Sequence, residues 1–184
     1  FLARDFSYDL RKNKKSSLSK YRLSDNYTRF FLKYIEPHKD RIRQGSFPNQ
    51  GLSSIKGWFS IMGFSFENLI LSNRSKIFDC LGLSAQDILW DNPFFQTKTT
   101  LRAACQVDYL ISSRFNSIYL CEIKCKQNPI GTEIIQEVER KIAALDVPKA
   151  FSIRPVLISA GPLSEALLDH RYFDQIITGE DLLS

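Results

Sequence analysis

Apolar residues alternate with polar ones in some stretches and recur at helical spacing in others, and these two periods divide the chain into elements. Residues 1–9 and 18–23 read as two strands. Ser24 or Asp25 caps a following helix with Tyr27, Phe30, Phe31, Tyr34 and Ile35 on its apolar positions. Pro37 interrupts that helix, which fades near Gly45. Residues 45–51 (Gly-Ser-Phe-Pro-Asn-Gln-Gly) form the best linker. Residues 52–81 read as mostly helical, weakened by Gly57 and Gly63. Strands are predicted at 94–98, 101–111 and 118–125, then a helix from Thr132 with Ile134, Ile135, Val138, Ile142 and Leu145 in one stripe. A strand at 155–159, a helix at 163–168, a strand at 173–177 and a helix from Gly179 complete the pattern. The order predicts an α/β fold, a mixed sheet flanked by helices, over 51–184. A small hairpin and helical segment over 1–50 precedes it.

Two of these strands break their own apolar pattern with charge. Gln106-Val107-Asp108-Tyr109-Leu110-Ile111 carries Asp108, and Tyr119-Leu120-Cys121-Glu122-Ile123-Lys124 carries Glu122 and Lys124. Residues 112–116 between them read as a turn. A hairpin centred on Phe115 sets Asp108 opposite Glu122, and Lys124, two residues on, projects from the same face as Glu122. Charge buried in a sheet costs several kcal/mol unless the groups pair or hold a metal.

Charge along the rest of the chain is uneven. Residues 1–50 hold 12 Lys and Arg against 5 Asp and Glu, whereas the remainder holds 13 against 15. Arg11, Lys12, Lys14 and Lys15 form the densest basic point, read either as phosphate-contacting residues or as a solvated hairpin tip. Cys80, Cys105, Cys121 and Cys125 show neither CxxC spacing nor a secreted disulfide framework, which predicts free thiols in a reducing cytoplasm. His38 and His170 stand apart from any cysteine at ligand spacing, which argues against a zinc site, and neither sits in a triad setting. No glycine fingerprint for a dinucleotide and no G-x-x-x-x-G-K-[ST] occurs, so a nucleotide site is not expected in this chain. No apolar run reaches the length of a membrane span. The start at Phe1 inside a strand-like stretch, with Met62 the single methionine, leads us to expect a piece of a longer polypeptide.

Asp108, Glu122 and the backbone carbonyl of Ile123 offer hard oxygen ligands suited to Mg²⁺ or Mn²⁺ with a substrate phosphate. Lys124 could then position water or hold charge on the transition state. Glu67, the one acid in an apolar helical run, is the candidate third carboxylate. Gln136, Arg140 and Lys141 on the following helix could reach phosphate. Plainer readings stay open for each. Asp108 could pair with Lys124 or Arg102, Glu122 and Lys124 could be an ordinary polar stripe, Glu67 could be a helix-surface acid, and the 136–141 residues a solvated helix face.

Asp108, the Glu122-Ile123-Lys124 triplet and the preceding Glu67 helix resemble the PD-(D/E)XK nuclease superfamily, with Val107 in place of the usual proline. The resemblance implies a restriction-endonuclease-like fold, metal-dependent DNA phosphodiester hydrolysis, Asp108 and Glu122 as metal ligands, a catalytic Lys124 and an assisting Glu67. Residues 21–27 (Tyr-Arg-Leu-Ser-Asp-Asn-Tyr), 30–37 (Phe-Phe-Leu-Lys-Tyr-Ile-Glu-Pro), 66–69 (Phe-Glu-Asn-Leu) and 121–124 (Cys-Glu-Ile-Lys) are similar to the C-terminal region of archaeal-type AAA+/STAND ATPases. That likeness implies a winged-helix remnant with a wing hairpin at the start, a basic wing tip at 11–15, and an ATPase domain upstream in the same polypeptide. A catalytically silent DNA-binding or regulatory module is the alternative reading.

Overall fold

The computed structural model describes residues 1–47, 51, 55–100 and 103–183. Strands β1 (Leu2–Asp9) and β2 (Lys14–Leu23) pair antiparallel. Their tip turns on Asn13, whose φ is 47°, and on Asp9, whose Oδ1 accepts the N–H groups of Arg11 (3.1 Å) and Lys12 (3.0 Å). The strand therefore starts earlier than the sequence pattern predicts: Lys14 and Lys15 lie in β2, opposite Asp9 and Tyr8, rather than in a loop.

Asp25 caps α1 (Asn26–Phe30) by accepting the Thr28 N–H at 2.6 Å. The helix then widens into a π-turn over Phe31–Ile35 and tightens to a 3₁₀ turn at Glu36–His38. Pro37 lacks the N–H that a regular ladder needs there, which accounts for the interruption. The short α2 (Lys39–Arg43) ends at Gly45 in the left-handed region. Helix α3 (Trp58–Ser72) starts after Gly57, also left-handed, and α4 (Arg74–Cys80) follows the break at Asn73. Residues 48–50 of the predicted linker and 52–54 of the predicted helix lie outside the described residues.

Strands β3 (Ile88–Gln96), β4 (Cys105–Ser113), β5 (Ser117–Cys125), β6 (Ser152–Ala160) and β7 (Gln175–Thr178) form one sheet in that order. The first three are antiparallel and the last three parallel, with α5 (Glu133–Ala144) crossing over between β5 and β6. Helix α6 (Glu165–Asp169) precedes β7, and α7 (Gly179–Leu183) follows it. The fold is thus a mixed α/β sheet flanked by helices. Phe66, Ile70, Leu71 and Ile77 of α3 and α4 pack against Tyr109, Ile111, Cys121, Ile123 and Ile158 on one face. Val138 of α5 packs with Leu110, Ile118 and Leu120 on the other. Strands covered on both faces need nearly continuous apolar sequence, which is what β4 to β6 supply. No helix among the described residues is long and apolar enough to cross a membrane.

Strand β3 begins six residues before the predicted 94–98. Asp91, Asn92 and Pro93 read as breakers, but a bulge absorbs them: Asn92 faces Leu110 and Phe94 faces Val107, so Asp108 and Tyr109 together oppose Pro93. The hairpin covers the outer edge of β3. Ser7 Oγ donates to the Phe95 carbonyl (2.5 Å) and accepts the Phe95 N–H (3.3 Å), the Tyr8 ring stacks on Trp90 at 4.1 Å, and Leu10 joins the core around Trp90 and Phe94. An exposed edge is thereby capped without a further ladder.

Candidate functional site

Asp108 sits where the sheet splits. The β4–β5 ladder is centred on Phe115 as predicted, running from Ser113 opposite Ser117 to Tyr109 opposite Cys121, and stops there. Continued, it would pair Asp108 with Glu122 and Val107 with Ile123. Instead the Ile123 N–H donates to Asp108 Oδ2 at 3.0 Å, so a side chain replaces the missing backbone partner. The bulge that displaces Asp108 is anchored next door, where the Tyr109 hydroxyl donates to Asp91 Oδ2 (2.7 Å) and Arg74 pairs with the same oxygen (2.7 Å). It is the Ile123 N–H, rather than its carbonyl, that is tied to Asp108.

Glu122 is fully buried. Its Oε2 lies 2.5 Å from Lys141 Nζ and its Oε1 2.8 Å from Lys124 Nζ. The second contact is an ion pair out of line for a hydrogen bond, so Oε1 remains a buried acceptor without a hydrogen-bond donor. Glu137 closes the group, 3.1 Å from Lys124 Nζ and 3.4 Å from Lys141 Nζ. The predicted shared face of Glu122 and Lys124 is therefore present, and the two ammoniums sit between two carboxylates. Asp108 pairs with a backbone N–H; Arg102, the other partner considered for it, lies outside the described residues.

Burial, and then mutual repulsion between Glu122 and Asp108, push the Glu122 pKa up, while the two lysines pull it back. Asp108 is also pushed up by burial, against the pull of Lys141 and the Ile123 N–H. Burial works against charge on Lys124 and Lys141, but the carboxylates prevail and raise both pKa values. For Glu137, burial again opposes charge, and the ammoniums prevail to lower its pKa. Glu67 on α3 is half-buried, and burial raises its pKa despite Arg29 and Lys124. It interacts electrostatically with both Glu122 and Asp108, and it lines the same cleft as Asp108. The predicted third acid thus shares a cleft with Asp108, within electrostatic reach of Glu122.

This cleft, of 280 Å³, runs between β2 and α1 on one side and α3 on the other, with Pro93, Val107 and Asp108 at its base. Arg22 is committed there: its Nε donates to Asp5 Oδ2 (2.8 Å) and its Nη1 to Asn68 Oδ1. Of the basic tip, Arg11 pairs with Asp146 (2.6 Å) and Lys15 lies over the Phe6 ring (3.4 Å), while Lys12 and Lys14 are exposed. Gln136 and Arg140 are exposed on α5, Arg140 Nε donating to the Gln136 carbonyl. Lys141 differs from the solvated helix face considered for it, since it points into the buried cluster. Glu137 was missed by the sequence reading. The available signal was that Lys141 lies three residues after Val138, within the apolar stripe, and four after Glu137.

Asp108 and Glu122 supply the hard oxygen donors that Mg²⁺ or Mn²⁺ prefers, but Oε1 of Glu122 already faces the Lys124 ammonium, which a metal ion there would displace. Among the described residues no group of three or more His, Cys, Asp or Glu side chains is gathered for a metal. All four cysteines are free thiols, and burial raises the Cys121 pKa, so it behaves as a core residue and not a thiolate.

No family model matches the chain, and no curated protein matches it. Among solved structures it is similar to the MspJI restriction endonuclease in complex with a 27-mer oligonucleotide. The identity is 17% and the TM-score 0.34, over 73% of this chain and 31% of that one. The chain thus spans less than a third of that protein's length.

Proposed function

We propose that the chain is a metal-dependent phosphodiesterase module acting on DNA. The observation that carries this reading is the convergence of Asp108, Glu122 and Lys124 at the split between β4 and β5, with Glu67 lining a cleft together with Asp108. Asp108 and Glu122 would hold Mg²⁺ or Mn²⁺, with the Ile123 carbonyl as a further oxygen. Such an ion polarises a bound phosphate and lowers the pKa of an attacking water. Lys124, at the rim of the buried cluster, would stabilise the negative charge that develops on the phosphate oxygens. Glu137 holds the Lys124 ammonium in place, and Lys141 favours the ionised form of Glu122 against its burial. Exposed Lys12 and Lys14 would add contacts to the DNA backbone that read no sequence. The sequence resemblance extends the proposal to an ATPase domain upstream in the same polypeptide, with the hairpin as the end of a winged helix.

The second reading is a silent DNA-binding or regulatory module. It is favoured by one observation: two ammoniums already neutralise Glu122, leaving little net negative charge to draw a cation. Calorimetric titration with Mn²⁺ separates the two. The nuclease reading predicts saturable binding that Glu122→Gln and Asp108→Asn each weaken by about tenfold or more, at least the effect of removing a group that only orients a ligand. DNA binding without any Mn²⁺ uptake favours the silent module.

A further inference from the structure

Arg29 stands in the cleft wall as a half-buried guanidinium, near Glu67, with one donor unmatched. Its Nη2 donates to the Leu23 carbonyl (2.5 Å) and its plane lies over the Phe64 ring (4.8 Å), yet its Nε is a buried donor without an acceptor. A buried donor of this kind is accounted for by an ordered water, an ion or a role at the site. Phe64 and Tyr21, which line the same cleft, are 45% and 71% exposed. Lys20 stands beside them, its Nζ held by Gln106 (3.2 Å) and over the Phe95 ring (4.7 Å). Single-strand binding surfaces use such rings to stack bases and such cations to meet the backbone; here Asp5, paired with Arg22, and Glu67 and Asp108 line the same cleft. The volume points the same way. At 280 Å³ the cleft falls just below the range of small-molecule sites, roughly 300–1,000 Å³, a volume on the scale of a single base and not of an extended duplex face.

We propose that this cleft takes an unpaired DNA strand, with a backbone phosphate on Arg29 and a base against Phe64 and Tyr21, and leads it to Asp108 at the cleft base. The inference rests on the nuclease reading and names the substrate form that reading leaves open: single-stranded DNA or an unpaired end.

The test is fluorescence anisotropy of a labelled twelve-nucleotide oligo-dT and of a duplex of equal length, in EDTA so that scission plays no part. The full chain is compared with Arg29→Gln, which keeps a donor for the Leu23 carbonyl, and Phe64→Leu, which keeps apolar bulk; circular dichroism checks their folding. The expected result is tighter binding of oligo-dT than of duplex. Each variant should weaken oligo-dT binding by about tenfold, and Arg29→Gln should lower the salt slope by about 0.7, one phosphate contact on a single strand. Preference for duplex, or oligo-dT binding unchanged in both variants, overturns the cleft assignment. Neither result touches the nuclease reading, which the Mn²⁺ titration judges.

Discussion

Asp108 Oδ2 accepts the Ile123 N–H at 3.0 Å, at the point where the backbone ladder between β4 and β5 ends. One carboxylate therefore serves the fold and the site together, and the two roles separate by substitution. Asn at position 108 keeps an acceptor for the N–H but carries no charge, whereas Ala leaves the N–H unpaired. Asp108→Ala should lose about 1–3 kcal/mol and speed hydrogen exchange at the Ile123 amide, as expected for a buried donor stripped of its partner. Native-state exchange measured by NMR checks this.

Asp108→Asn should instead be stabilising at neutral pH. Burial raises the Asp108 pKa in the folded state, so its ionised form is harder to hold there than in the unfolded chain. The carboxylate accordingly lowers stability above its folded pKa; that loss fades as pH falls through the folded pKa and is gone below the ordinary aspartate value of about 3.9. Thermal melts should show Asp108→Asn above wild type at pH 7. The gap should close below the ordinary aspartate value. A lower midpoint at pH 7 would contradict the assignment.

Glu122 and its two lysines form a unit whose parts depend on one another. Lys141→Met leaves Glu122 with one ammonium and should cost about 3 kcal/mol, the lower end of the roughly 3–5 typical of a broken buried pair. Replacing the unit with apolar residues (Glu122→Leu, Lys124→Met, Lys141→Met) should restore stability or raise it by about 1–4 kcal/mol, while abolishing any activity. Chemical denaturation of the single and triple variants measures both. A stable Lys141→Met protein would mean that the cluster is loosely held.

Hairpin and sheet should unfold as one. Tyr8 stacks on Trp90, and Ser7 bonds both backbone groups of Phe95. Tyr8→Ala should therefore shift a single cooperative transition by roughly 2 kcal/mol, part ring stacking and part lost burial. Calorimetry resolving two separate transitions would instead describe an N-terminal unit that folds apart from the sheet.

Much of this arrangement was legible in the sequence because period and parity carry it. The turn centred on Phe115 fixed which residues of β4 and β5 share a face, and Lys124 follows Glu122 by two, so their contact was readable in advance. Asp25 as the α1 cap and the Pro37 interruption were equally readable. The start of β3 was not, since Asp91-Asn92-Pro93 has the composition of a turn and only pairing with β4 turns it into a bulge. The Lys141 contact was hidden for a related reason: helical spacing shows which face a residue shares, but not that the face lies over Glu122, nineteen residues earlier. The buried Nε of Arg29 depends on α1 packing against α3, a long-range contact that no local pattern encodes.

The central claim is chemistry at Asp108, Glu122 and Lys124, and strand scission tests it most directly. The chain is incubated with labelled single-stranded and duplex DNA in Mn²⁺, beside Asp108→Asn, Glu122→Gln and Lys124→Ala, each shown to be folded. The account predicts Mn²⁺-dependent cleavage by the wild-type chain that falls by at least about 10²-fold in every variant, the scale of removing a group that stabilises transition-state charge. Equal cleavage by all four proteins, or none by the wild-type chain, would contradict it.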